Sequence, residues 1–212
     1  MLIPFDELFR FMPFELKGVL HIGAHECEEK DSYNRLGIND DNIYWIEALP
    51  RLVTNMTEKH PKIHIYQGLI HEEDNKKMTF HMTNNVQSSS ILEFGTHATH
   101  HPHVYLVGDI IMTTTRMDTL IENNKIPVER LNFINLDIQG VELSALKSMG
   151  KYLSHFDYIY TEVNTEEVYK GCCLVSDLDK YLTTFGYVRV ITKMCENYGW
   201  GDAFYVRFRR NY

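Results

Sequence analysis

The stretch Val19-Leu20-His21-Ile22-Gly23-Ala24-His25 narrows what this chain can fold into more than any other. A short apolar run that ends in two small residues predicts a strand near Gly18–Ile22 with a sharp turn after it. Glu26 to Leu36 then reads as a helix, with Tyr33 and Leu36 as apolar contacts and Gly37 as its stop. A strand, a tight turn and a helix start bring backbone N–H groups close to a ligand. The next apolar segment, Ile43 to Glu47, ends in a carboxylate roughly 20 residues on, the spacing of an acid that holds ribose hydroxyls. Only one glycine of a G-x-G-x-G pattern is present, so an ordinary strand–helix joint is the competing reading.

Later segments extend this pattern. Pro50 suits the first turn of a helix that runs to about His60 and is ended by Pro61. Ile63–Leu69 reads as strand three. Lys77–Met82 and Ile110–Thr115 alternate as strands do, and the long polar stretch Thr83–Gly108 lies between them. A loop of that length inside one domain is usually functional or disordered. Leu131–Asp137 and Tyr158–Glu162 are strands ending in acids, with a helix over Gln139–Met149 between them. Ser176 with Asp179 resembles a capping box at the start of a helix carrying Leu178, Tyr181, Leu182 and Phe185. Tyr187–Ile191 and Ala203–Phe208 are the last strands, joined by a loop that holds Gly199-Trp200-Gly201-Asp202. Strands alternating with helices predict a doubly wound α/β fold in one domain, residues 1–212, with an N-terminal helical cap over 1–17 and inserted strands with a loop over 77–116. Ligands of such sheets bind at the carboxyl ends of the strands, where Gly23, Ala24, His25, Glu47, Asp137 and Glu162 are expected.

Charge and cysteine content limit the partners. The net charge of −8 argues against an extended nucleic-acid surface, which needs a basic field. Cys27, Cys172, Cys173 and Cys195 form no C-x-x-C pair and read as free thiols in a reducing compartment. No run reaches membrane-spanning length and the N-terminus lacks a signal-peptide core, so a soluble, cytoplasmic protein is expected.

Four segments together resemble the FkbM-type methyltransferases: Leu20-His21-Ile22-Gly23-Ala24-His25-Glu26, Trp45-Ile46-Glu47-Ala48, Asp137-Ile138-Gln139-Gly140-Val141-Glu142 and Glu162-Val163-Asn164. Asn85–Leu92 and Gly199–Asp202 are similar to a subgroup found in large DNA viruses and some bacteria, which would place the protein in host cytoplasm if it is viral. The resemblance implies a Rossmann-like class I fold with a seven-stranded, mostly parallel sheet, its last strand antiparallel, and a hairpin and loop insertion after strand three. It implies S-adenosylmethionine (SAM) as cofactor and O-methylation, often of a sugar hydroxyl in a glycan. The acid usual early in the first motif is His21 here, and Glu26 is the candidate to replace its ammonium contact. No Asn-Pro-Pro-Tyr or Asp-Pro-Pro-Tyr segment follows the fourth strand, which ranks nitrogen acceptors low.

On that resemblance the cofactor would meet Gly23, Ala24, His25, Glu26, Glu47, Ala48, Leu69, Ser88, Ser89 and Asp137. Asp137 is the leading general base, with Glu162 and His25 behind it. Each of these acids also has a plain reading: Asp137 as a helix-start acid, Glu47 as a strand-end surface acid. Gln87, Asn164, Trp200 and Asp202 are the acceptor candidates; an aromatic plane beside a carboxylate suits a sugar ring. His97, His100, His101 and His103 form a dense histidine stretch, read as part of a loop or lid in preference to a zinc site. A divalent ion held by Asp137, Glu162 and Asn164 is the minority version. A NAD-dependent oxidoreductase and a noncatalytic binding module on the same sheet are the competing functions.

Overall fold

The structure is a computed structural model that describes residues 2–208. Met1, where the predicted cap begins, and residues 209–212 lie outside the described residues. A seven-stranded sheet runs in the order β3 (His64–Gln67), β2 (Ile43–Glu47), β1 (Val19–Ile22), β7 (Phe133–Leu136), β8 (Tyr158–Asn164), β10 (Trp200–Arg207), β9 (Tyr187–Met194). All pairs are parallel except those of β10, which runs antiparallel to both β8 and β9. This is the expected Rossmann-like α/β arrangement, with the last strand of the chain inserted in reverse. β1, β2, β7 and β8 are buried at every position. Strands covered on both faces need continuous apolar runs, which is how these segments read.

Two cores result, one on each face of the sheet. Leu20, Ile22, Ile134, Leu136, Ile159 and Val163 pack with α5 (Met117–Asn124), α6 (Glu142–Ser148) and α7 (Val175–Thr183). Val19, Trp45, Phe133, Tyr158, Tyr160 and Phe204 pack on the other face with Tyr33 of α2 (Lys30–Arg35) and the N-terminal residues Ile3 and Leu8. Beside β3 a second, three-stranded sheet joins β4 (Leu69–Ile70), β6 (Leu106–Thr115) and β5 (Lys77–Thr83). This is the insertion after strand three, and it walls one side of the site.

Several boundaries differ from expectation. The helix expected from Glu26 begins at Lys30, because His25 and Cys27 take left-handed φ values of 44° and 56° and residues 25–29 form tight turns. The helix expected from Gln139 begins at Glu142, after a loop in which Gln139 and Gly140 have positive φ. Asp177, not Ser176 with Asp179, caps α7 by accepting the Leu174 N–H at 3.1 Å; Asp179 is paired with Arg189 instead. The helical cap expected over residues 1–17 is a four-residue α1 (Phe5–Leu8) and one 3-10 turn, with Leu8 buried and Phe9 exposed. Trp200, Gly201 and Asp202 lie within β10, not in a loop before it.

Candidate functional site

The strand order reverses between β1 and β7, and a crevice forms where the carboxyl ends of neighbouring strands diverge. Two adjoining recesses occupy it and share Gly23, His25, Gln87, Asp137 and Gln139. Gly23 is required there: its φ is +94°, and a Cβ would lie 1.8 Å from the Asp137 carbonyl oxygen. The two strand ends thus touch backbone to backbone, and the recesses open on either side of that contact.

The first recess is apolar. Leu49, Leu52, Leu69, Phe80, Ile91 and Ile138 line it, with Ala48 also in the wall. Glu47 is its one buried acid. Oε2 of Glu47 accepts the His25 N–H and Oε1 accepts the Leu49 N–H, both at 2.8 Å. Each oxygen keeps a further lone pair. Burial raises this carboxyl above its ordinary range, against the pull of those N–H groups.

The turn after β1 differs from a phosphate cradle. The N–H groups of Gly23 and Ala24 both donate to the Ile46 carbonyl, at 2.9 and 3.0 Å. The next N–H groups, of His25 and Glu26, donate to Glu47 and to Glu28. Four successive donors are therefore already engaged, two of them by acids, and the following helix starts too late to aim its N-terminus here. Glu26 itself is exposed and lines neither recess. Glu28 and Glu29, which the sequence did not single out, line the second one.

The second recess is a polar chamber containing Glu28, Glu29, Asp137, Glu162 and Asp202. Glu162 and Asp202 face each other in the β8–β10 register. Asp202 accepts the Tyr160 hydroxyl at 2.5 Å and also the Leu2 N–H. The Gln139 side-chain amide donates to Asp137 at 2.5 Å and to Glu162 at 3.1 Å, while Tyr169 donates its hydroxyl to Gln139 Oε1 at 2.5 Å. Burial, then the charges of Asp137 and Glu142, hold Glu162 well above the usual carboxylate range. Depth in the protein, then Asp202, raises Asp137 as well. The Asp137 side chain is nevertheless open to the chamber, so solvent there moderates the rise. Glu142, fully buried, accepts the Ile138 and Gly140 N–H groups at 3.2 and 2.9 Å and so holds the loop that presents Asp137 and Gln139.

Histidines complete the chamber. Against the opposing effect of burial, the 2.6 Å bond to His25 draws Glu28 down to about 2, and the same bond raises His25. His21 is pushed down to about 3 by burial. Asn135 donates to the Tyr33 oxygen at 2.6 Å, so the Tyr33 proton is directed at His21 Nδ1, 2.9 Å away. His97 is pushed down to about 4 by burial and by His101 and His103. Its ring stacks on Phe94 with centroids 4.3 Å apart, and its Nδ1 is buried with no partner among the described residues. Among the described residues no group of three or more His, Cys, Asp or Glu side chains is arranged to hold a metal ion.

The remaining sequence candidates divide. Ser88 lines the chamber, whereas Ser89 lines the apolar recess and accepts the Thr83 N–H at 3.0 Å. Gln87 reaches both, and Trp200 lines the chamber beside Val168 and Tyr169. Asn164, an acceptor candidate from the sequence, is fully buried, its side-chain amide has no hydrogen-bond partner among the described residues, and it lines neither recess. Tyr169 was missed because it comes from an irregular loop after β8 with no period to read. Glu142 sits in the quoted motif, but only its two backbone bonds disclose what it holds.

The sequence matches the methyltransferase FkbM domain family over residues 9–189. No curated protein matches it. Among solved structures, magnesium protoporphyrin IX methyltransferase from Synechocystis, with SAM bound, is similar at 12% identity and a TM-score of 0.48, covering 96% of this chain and 76% of that one. A TehB-like SAM-dependent methyltransferase from Corynebacterium glutamicum is similar at 8% identity and a TM-score of 0.48, covering 98% and 89%. Precorrin-6y C5,15-methyltransferase from Geobacter metallireducens is similar at 10% and 0.45, covering 95% and 85%.

Proposed function

This chain belongs to the methyltransferase FkbM family, and we propose that it moves a methyl group from SAM to a hydroxyl of a sugar in a glycan. The observation that carries the reading is the pair of unlike recesses meeting at Gly23 and Asp137. An apolar slot with one buried carboxylate suits a nucleoside, with Glu47 on the ribose hydroxyls and Ala48 and Leu69 beside the base. Gly23, Ala24, His25, Ser88 and Ser89 would border the rest of the donor. The engaged N–H groups after β1 favour a cofactor without phosphates and count against the nicotinamide dinucleotide reading.

SAM supplies a methyl group already activated by its sulfonium. The protein then has to hold an acceptor oxygen in line with it, and such positioning supplies ~7–11 kcal/mol. Asp137 would take the hydroxyl proton as the new C–O bond forms; its exposure in the chamber and its bond to Gln139 support this role. Glu162 shares Gln139 with it and is the neighbouring store for that proton. His25 is the weaker candidate, since its ring is paired with Glu28. Gln87, Trp200 and Asp202 would contact the sugar.

Calorimetry with S-adenosylhomocysteine beside NAD tests the donor, and mass spectrometry of glycans incubated with SAM tests the transfer. Binding of S-adenosylhomocysteine with no binding of NAD, and a gain of one methyl on a glycan, is the expected outcome. Tighter NAD binding would sink the reading.

A further inference from the structure

Gln139 stands at the seam of the two recesses in a backbone conformation that disfavours its residue type. Its φ is +58°, in the left-handed region where a residue with a Cβ is strained. The side chain kept at that cost is engaged at both ends of its amide. Nε2 donates to Asp137 at 2.5 Å and to Glu162 at 3.1 Å, and Oε1 accepts the Tyr169 hydroxyl at 2.5 Å. An amide has two orientations that fill nearly the same space, and its partners decide between them. Turned over, it would aim Oε1 at both acids, which suits them only when they are protonated. Tyr169 opposes that turn. Burial raises its hydroxyl well above the ordinary range, so it remains a donor. Its other acceptor, the Ser88 carbonyl, is farther away at 3.2 Å. The ring is fixed from elsewhere: Tyr169 is 1% exposed, forms a backbone bridge with Phe94, and packs with the Phe94 and His97 rings at 5.7 and 5.5 Å between centroids.

Resting on the methyltransferase reading above, with Asp137 as the base, we propose that Tyr169 is a positioning residue: its hydroxyl holds the Gln139 amide with the nitrogen toward Asp137, and so keeps that carboxyl group aimed at the acceptor's proton. Tyr169 acts through Gln139 and takes no proton itself. The bond at Asp137 Oδ1 restricts rotation of the carboxyl group, which an in-line transfer needs, because the base must meet the hydroxyl while its oxygen faces the methyl. Gln139 thereby gains a reason to occupy a strained position. No shorter side chain there would span from Tyr169 to the two acids.

Carboxyl titrations on the full chain, without ligand, test the coupling. Asp137 and Glu162 are followed by carbon-13 magnetic resonance and assigned by the signals lost in Asp137→Asn and Glu162→Gln. Tyr169→Phe keeps the ring and removes only the hydroxyl. A loosened or overturned amide donates less well to Asp137, and that bond favours the ionised form, so the Asp137 midpoint is expected to move to higher pH. Gln139→Met, which keeps the reach of the side chain without an amide, is expected to move it the same way. Adding Tyr169→Phe to Gln139→Met is expected to move it no further. With the glycan that gains a methyl in the assay above, Tyr169→Phe is expected to lower kcat about 3–10-fold, the worth of one hydrogen bond, and to leave acceptor KM and S-adenosylhomocysteine affinity within about two-fold. A midpoint unmoved in Tyr169→Phe or in Gln139→Met, a further shift in the double variant, or an unchanged kcat overturns the proposal. So does a fall in S-adenosylhomocysteine affinity that matches the fall in kcat. Failure of S-adenosylhomocysteine to bind the parent chain would strike the methyltransferase reading instead, and the titrations would still judge whether Tyr169 positions Asp137.

Discussion

Glu47 and Glu162 are both carboxylates at the carboxyl ends of strands, and both are 7% exposed. Glu47 sits among apolar side chains with a backbone N–H on each oxygen. Glu162 faces Asp202 across the sheet, shares one amide nitrogen with Asp137, and has Glu142 behind it. The first arrangement fixes a charge in place as a recognition group. The second crowds acids with few donors, which favours holding a proton. The same residue type at the same topological position is thus set up for static binding in one recess and for proton traffic in the other.

The sharpest way to break this contrast is Asp137→Asn. Asparagine keeps the shape and can still bond to Gln139 but cannot take a proton. Turnover is expected to fall about 10²–10⁴-fold, with S-adenosylhomocysteine affinity within about two-fold of the parent by calorimetry. A parallel fall in both would make Asp137 a donor-binding group and remove the contrast. Glu162→Gln should act on the same proton. It removes the group beside Asp137 that can hold that proton and leaves an oxygen for the Gln139 amide, so turnover should fall while S-adenosylhomocysteine affinity holds.

Glu47→Ala should do the reverse. Lost charge-assisted hydrogen bonds cost about 1.5–3 kcal/mol, or roughly 10–150-fold in S-adenosylhomocysteine affinity. The His25 and Leu49 N–H groups also lose their partner, so a melting curve must accompany the titration. Unchanged affinity in a folded variant would take Glu47 out of the site.

These two recesses were not equally legible in the sequence. Apolar runs such as Ile43–Ile46 identify buried parallel strands, and the acid that closes one marks its end, so Glu47 and its surroundings could be placed by spacing. The chamber could not. Glu26 to Glu29 resembles the acid-rich first turn of a helix, yet the His25–Glu28 pair and two left-handed residues hold it as turns. Gly199 and Gly201 suggested a loop around Trp200, but pairing along β8 begins at Trp200, runs through Gly201 and sets Asp202 opposite Glu162. Register between distant strands is long-range information that local pattern lacks. Tyr169 arrives from an irregular segment and His97 from a single helical turn, His97–His100, and the bridge Phe94–Tyr169 between their segments has no local signature.

Trp200 offers a smaller effect that belongs to the chamber alone. Its ring lines the chamber and packs with Val168, Tyr169 and Cys172. Trp200→Ala is expected to raise the acceptor KM several-fold and leave S-adenosylhomocysteine affinity nearly constant, with Trp200→Phe recovering much of the loss through its remaining aromatic face. Normal sugar kinetics in a folded Trp200→Ala protein would exclude it from acceptor binding.

The smallest expected effect is on stability, and it reads the crowding of acids without any substrate. Glu142 is fully buried, and burial raises its carboxyl from 4.5 to about 7. Between those values the folded chain holds a proton there that the unfolded chain has released. The contribution of Glu142 to stability must then fall as pH rises through that window, because at this group the folded state binds more protons. Asp137 and Glu162, also raised, act with the same sign. His21 and His97, pushed down to about 3 and 4 with burial the largest cause, act with the opposite sign below pH 6.5, so the contribution of Glu142 is read against a variant and not from the parent alone. Glu142→Gln removes the titration while keeping one oxygen to accept a loop N–H. Between pH 5.5 and pH 8 the parent is expected to lose roughly 1 kcal/mol, a few degrees of melting temperature, relative to Glu142→Gln. A difference between the two that does not change with pH across this window would mean that the acids behind the chamber stay ionised and that Glu162 is no more a proton holder than Glu47.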